Sequence, residues 1–261
     1  MKIKVSLAQL NLIYGDQEKN LEKALSMIRQ AAMIGSDLIL LPELWSSGYD
    51  LENRDRYAAG NIAILQEIHR VAELHSIWVG GSMITARGKE FFNTFSLFRS
   101  KNDPQIFYDK THLFRLMDEE KWFSAGTTPC LTEQLPWGKS GLATCYDLRF
   151  PELFRHYAVN GAGITFLVSQ WAIQRVEHWR TLLRARAIEN QMFIAAVNTT
   201  GKIGPSEFGG RSAIIDPWGE VLIEGSQDSE ELLSADLDLD LVSRVRERIP
   251  VFQDRRTDIY G

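Results

Sequence analysis

The apolar positions of this chain change period along its length. Between residues 17 and 34 they fall at Leu21, Ala24, Leu25, Ile28, Ala31 and Ala32, the stripe of an amphipathic helix. Asp16 is placed to cap its start and Gly35 to end it. Asp37-Leu-Ile-Leu-Leu-Pro42 follows as a short continuous apolar run, which predicts a buried strand. Ile64, Leu65, Ile68, Val71 and Ala72 mark a second helix, and strands are predicted over 77–83, 92–98, 105–108 and 140–144. Helix 151–160, strand 164–169, helix 176–189 and strand 192–198 continue the alternation. Repeated strand and helix units predict an α/β fold with sheet layered against helices.

From Arg211 the pattern changes to a hairpin, with strands at 212–216 and 221–224 around the turn Pro217-Trp-Gly-Glu220. A strand at 232–235, a short helix at 239–248 and a helix-free tail over 250–261 complete the prediction. The tail is long enough to reach a neighbouring subunit. No Pro/Gly/Ser linker or low-complexity tract divides the chain, so a single domain over 1–261 is expected.

Composition narrows the partners. A chain of 261 residues, 44% of them hydrophobic, hides roughly 70–75% of its unfolded surface and needs no disulfide or structural metal to hold a core. Twenty-nine basic against 34 acidic residues give a net charge of −5 without a long basic run. That balance argues against nucleic acid or an anionic membrane as the main partner. Two cysteines, Cys130 and Cys145, form neither a disulfide framework nor a zinc or redox pair. The apolar stretch in Met1 to Leu10 is too short and interrupted for a secretory signal, and no run of about eighteen apolar residues spans a bilayer. A cytoplasmic location is the expectation.

The serine-hydrolase, zinc-protease and phosphate-loop signatures are absent, and the five histidines lack metal spacing. Neither a metal nor an organic cofactor is expected. Open α/β sheets place their sites beyond the carboxyl ends of strands. Three reactive side chains stand there: Glu43 after the run to Pro42, Lys110 after 105–108, and Cys145 after 140–144. A free thiol is only a few per cent ionised at neutral pH, so a nucleophilic cysteine needs a base or a cation beside it. Glu43 supplies a base that can later protonate a leaving amine. Lys110 supplies a cation for thiolate and oxyanion, and the Tyr146 N–H gives a second oxyanion donor if Cys145 sits on a sharp strand-to-helix turn. Cys130, in a turn-like Thr-Thr-Pro-Cys context, is read as structural.

Together these segments resemble the nitrilase superfamily of carbon–nitrogen hydrolases. The resemblance is carried by Leu40-Leu-Pro-Glu43-Leu-Trp45, Tyr108-Asp-Lys110-Thr-His-Leu-Phe114 and Gly141-Leu-Ala-Thr-Cys145-Tyr-Asp-Leu-Arg-Phe-Pro151-Glu152. It continues in Ala185-Arg-Ala-Ile-Glu189-Asn-Gln191, Gly210-Arg-Ser212, Asp216-Pro-Trp-Gly219 and Asp254-Arg-Arg256, and so covers nearly the whole chain. It implies a four-layer αββα sandwich with Glu43 as general base, Lys110 as oxyanion stabiliser and Cys145 as nucleophile. It also implies a supporting glutamate near the lysine. Counting back seven residues from the glycine of Phe123-Ser-Ala-Gly126 selects Glu119, with Glu120 adjacent.

Within that superfamily the short chain and the contexts of Glu43, Trp171, Arg175 and Trp179 are similar to a bacterial ω-amidase branch, although Gln170 and Ala172 depart from its usual pattern. The resemblance implies a small-molecule amide substrate, such as the ω-amide of 2-oxoglutarate, cleaved through a thioester to acid and ammonia. Arg175 is a candidate partner for a substrate carboxylate, because a guanidinium suits that anion. Trp171 is either core or pocket wall. A homodimer or higher homo-oligomer is also implied. The alternatives are an N-carbamoyl amine or amino-acid amidohydrolase using the same triad, and a noncatalytic amidase-fold binding subunit.

Overall fold

The computed structural model describes residues 1–260. Two six-stranded sheets form its centre. In space the first runs Glu231–Asp238, Lys2–Gln9, Leu38–Leu40, Trp78–Arg87, Glu90–Phe98, Ile106–Asp109. The second runs Val221–Glu224, Ala213–Ile215, Phe193–Asn198, Ile164–Ser169, Ser140–Thr144, Cys130–Thr132. Each sheet has three parallel strands at its centre, connected through helices, with antiparallel strands on both sides. The pairing pattern of the first sheet is thus repeated in the second.

Alternation along the strands explains the layering, because successive side chains face opposite sides of a sheet. Ile3, Val5 and Leu7 meet Leu142, Phe166 and Val168 in a core between the two sheets. Ala8, Ile39 and Val79 face the other way, onto Ala24, Ile28, Ile64 and Ile68 of helices Gln17–Met33 and Arg54–His75. On the far side Ala143, Leu167 and Ala196 pack on Phe154, Trp179 and Leu183 of helices Pro151–Val159 and Val176–Asn190. The result is the αββα sandwich that the sequence resemblance implies. Asp16 caps the first helix by accepting the Lys19 N–H at 3.1 Å, and Gly35 leaves it at φ +74°, a conformation open to glycine.

Several elements differ from expectation. The opening segment is the eight-residue strand Lys2–Gln9, central in its sheet and paired along its length with Glu231–Asp238, a longer strand than 232–235. The second helix starts at Arg54, ahead of its apolar stripe, and the strand after it runs on to Arg87. An antiparallel hairpin, Thr200–Ile203 with Ser206–Gly209, carries too little apolar pattern to be visible in the sequence. Cys130 opens a short edge strand and does not lie in a turn. The tail is not helix-free: Thr257–Tyr260 forms one helical turn.

Candidate active site

Glu43, Lys110 and Cys145 lie just beyond the carboxyl ends of three strands, two from the first sheet and one from the second. Backbone pairing fixes the first two of these ends. Leu41 N–H donates to Gly80 O at 2.7 Å, Glu43 N–H reaches across to Ser169 O of the second sheet at 3.4 Å, and Lys110 N–H donates to Asn93 O at 3.0 Å. Gly126 N–H closes onto Lys110 O at 2.9 Å.

Lys110 is wholly buried between two buried carboxylates. Its Nζ donates to Glu43 Oε1 and to Glu119 Oε1, each at 2.8 Å. Glu120, next in sequence, is exposed, so Glu119 is the glutamate the fold brings to Lys110. Glu43 is held from all sides: Asn93 Nδ2 donates to Oε1 at 2.8 Å and the Gln170 N–H to Oε2 at 3.0 Å. Glu119 accepts the Phe114 N–H at 2.7 Å on Oε2 and the Tyr49 hydroxyl on Oε1. A carboxylate with several donors can remain ionised away from water, and an ammonium between two of them can remain charged.

Cys145 leaves its strand at φ +45°, a left-handed conformation that disfavours a side chain, and opens the 3₁₀ helix Cys145–Arg149. The Tyr146 N–H lies in the first turn of that helix, where a backbone donor has no intrahelical acceptor. This is the sharp turn that an oxyanion donor at Tyr146 requires. Buried Asp147 ties the turn to the lysine loop. It accepts the Thr144 N–H at 2.8 Å, the Tyr108 hydroxyl at 2.7 Å and the His112 N–H at 3.1 Å.

The electrostatics follow from burial. Desolvation pushes the Cys145 thiol upward, the charge of Glu43 adds to that, and Lys110 only partly opposes it. Glu43 is itself raised above the usual carboxylate value, by burial first, with Lys110 opposing and Glu119 adding. Burial works against the charge of Lys110, yet Glu119 and Glu43 outweigh it and hold the ammonium well above its ordinary value. The resting arrangement is therefore a protonated thiol beside an ammonium clasped by carboxylates.

Cys145 opens onto a cavity of about 460 Å³. Tyr49, Phe114, Met117, Trp171 and Phe208 give it apolar walls, while Arg149, Arg175 and Lys202 add positive charge. Arg149 lies over the Trp171 ring at 4.8 Å and Arg175 over the Phe114 ring at 5.5 Å. Among the described residues neither guanidinium is paired with a carboxylate, whereas Lys202 sits across the hairpin from Glu207. Trp171 is both wall and core: it packs against Trp179 at 5.6 Å and its Nε1–H donates to Arg175 O at 2.7 Å.

Glu43, Lys110 and Cys145 stand at strand ends, whereas other residues of the site do not. Asn93 is mid-strand, Tyr49 follows a polar Ser-Ser-Gly, and Lys202 lies in the unpredicted hairpin. Arg149 lies four residues after the thiol, at the end of the same 3₁₀ helix, and that local spacing is its signal in the sequence. Among the described residues no cluster of His, Cys, Asp and Glu is arranged to hold a metal, and no helix is long and apolar enough to cross a membrane.

Comparison with known proteins gives a consistent set of relatives. The family model described as carbon-nitrogen hydrolase matches residues 4–247. The 2-oxoglutaramate amidase of Bacillus subtilis (strain 168) is 41% identical over 100% of both chains. The 2-oxoglutaramate amidase of Paenarthrobacter nicotinovorans is 36% identical over 94% of this chain and 88% of its own. Among solved structures, a mutant of the Nesterenkonia AN1 amidase, from the nitrilase superfamily, superposes with a TM-score of 0.86 at 27% identity, over 99% of this chain and 95% of that one.

Proposed function

Since the chain belongs to the carbon–nitrogen hydrolase family, and so is a hydrolase of non-peptide carbon–nitrogen bonds, we propose that it is a cysteine amidase. Its substrate is the terminal amide of a small 2-oxo acid, with 2-oxoglutaramate the first choice. One observation carries the reading: a buried ammonium held between Glu43 and Glu119, next to a thiol that opens on a cavity with two guanidinium groups that have no carboxylate partner among the described residues. The guanidinium groups favour an acidic amide over a neutral one.

In the proposed reaction the substrate carboxylate pairs with Arg175, and the acyl chain lies against Trp171. Glu43 takes the thiol proton as Sγ attacks the amide carbon. Lys110 and the Tyr146 N–H stabilise the oxyanion that forms. Glu43 then returns the proton to nitrogen, the carbon–nitrogen bond breaks, and ammonia leaves a thioester on Cys145. Water, deprotonated by Glu43, adds to the thioester, and collapse of the second oxyanion releases the acid and restores the thiol. Glu119 acts through Lys110, holding its ammonium in place. The location proposed is the cytoplasm, where reducing conditions keep a lone thiol free. The proposed assembly is a homodimer.

An ammonia-release screen tests this, comparing 2-oxoglutaramate and 2-oxosuccinamate with N-carbamoyl amino acids and using Cys145→Ala as the control. The amidase reading expects rapid release from the 2-oxo amides and none from the variant. Tenfold better turnover of a carbamoyl substrate would replace it with the amidohydrolase reading. Equal release by wild type and variant would leave a noncatalytic binding subunit.

A further inference from the structure

The place of Gln170 in the site gives its side chain a chemical meaning. The residue is 3% exposed and lines the cavity together with Cys145 and Trp171. Its backbone N–H donates to Glu43 Oε2, and its carbonyl lies 3.9 Å from the Cys145 Sγ. The side-chain Nε2 donates to the Glu43 carbonyl at 2.7 Å. A carbonyl oxygen can only accept, so that bond fixes which end of the amide is nitrogen. The remaining end, Oε1, is buried and has no hydrogen-bond partner.

An orphaned buried acceptor is unfavourable until a donor reaches it. The polar groups proposed above to receive substrate are mostly donors: the Lys110 ammonium, the Tyr146 N–H and the guanidinium of Arg175. They suit the carbonyl oxygen and carboxylate of an acidic amide. The amide nitrogen has the opposite need, because its two hydrogens require acceptors. Glu43 serves that nitrogen only while it is ionised, and it must cycle its proton during the reaction.

Resting on the amidase reading, we propose that Gln170 Oε1 accepts an N–H of the substrate carboxamide and makes Gln170 the residue that selects an NH₂ leaving group over an O-alkyl one. An ester presents only lone pairs to Oε1, so the acceptor stays unpaired and the ester transition state is disfavoured. As the nitrogen gains its proton and becomes partly cationic, the bond to Oε1 strengthens, and the effect falls on kcat as well as KM.

The test crosses two enzymes with two substrates. Gln170→Met keeps the side-chain length and removes both the Oε1 acceptor and the Nε2 donor. Wild type and variant are assayed on 2-oxoglutaramate and on the ω-methyl ester of 2-oxoglutarate. Loss of the Nε2 bond to Glu43 weakens both reactions together, whereas loss of Oε1 weakens only the amide reaction. The expected result is a fall in amide kcat/KM roughly 10–100-fold beyond any fall on the ester. An equal loss on both substrates, or no loss on either, overturns the proposal and leaves Gln170 as a prop for Glu43.

A second measurement leaves position 170 unchanged. By calorimetry, Cys145→Ala should bind 2-oxoglutaramate at least fivefold more tightly than the methyl ester, and equal affinity overturns the assignment. Ammonia release by the wild type reports separately on the function itself. If another primary amide proves to be the substrate, that amide and its methyl ester take the same two places in the cross.

Discussion

The proton that burial keeps on Cys145 assigns a role to each neighbour. A thiol held above its ordinary range does not wait as thiolate, and in the proposed reaction Glu43 removes its proton during attack. Glu43 is raised as well, which sets the sign of the pH dependence. Below its folded value the base is protonated and activity is lost; as pH rises through that value activity appears. The acid limb of kcat/KM should therefore lie above pH 4.5, the ordinary glutamate value. Glu43→Gln should lower kcat by about 10²–10⁴-fold and abolish that limb, as stopped-time ammonia assays across pH would show. Lys110→Met leaves two buried carboxylates facing each other without their cation. A loss of about 3–5 kcal/mol is expected from urea denaturation, shrinking at acid pH where protons replace the missing charge. Glu43, Lys110 and Cys145 were legible as candidates because each follows an apolar strand and lies in a segment that carries the family resemblance. Tyr49 and Asn93 were not, because long-range folding brings them to the site and local pattern does not.

At the scale of elements, the site depends on how tightly the loop from Lys110 to Gly126 closes. A Cβ on Gly126 would lie 2.1 Å from the Asp109 carbonyl oxygen, next to the Gly126 N–H bond to Lys110 O that closes the loop behind Lys110. Gly126→Ala must push that loop away. A stability loss of more than about 2 kcal/mol is expected, with kcat reduced more than KM, measured by denaturant midpoint and steady-state kinetics. Periodicity predicted most helices and central strands, because burial on one or both faces writes a pattern into the sequence. It missed what lacks such a pattern. The hairpin from Thr200 to Gly209 is largely polar, the first turns of helix Arg54–His75 are charged, and strand Lys2–Gln9 alternates lysine with apolar residues next to the chain start.

At the scale of the whole molecule, the core between the sheets joins both halves of the chain. We propose that the described residues fold as one unit. Phe166→Ala, which empties a fully buried position between the sheets, should cost about 3–5 kcal/mol and shift a single calorimetric transition without splitting it. Two resolved transitions would show independent halves. The homodimer is tested by light scattering, where a mass of twice 29.7 kDa is expected at micromolar concentration and a monomer counts against it. The layer architecture followed from the alternation of elements together with the sequence resemblance. The pairing of the first strand with Glu231–Asp238 did not, since contacts between distant segments leave no local trace. That pairing has a practical consequence. A nick in the exposed turn near Lys101 and Asn102 would leave Glu43 on one fragment and Lys110, Glu119 and Cys145 on the other. Each fragment alone would be inert. Mixed together, they hold complementary strands of the first sheet, four on one fragment and two on the other, and recovered ammonia release would measure how well two separate polypeptides rebuild one catalyst.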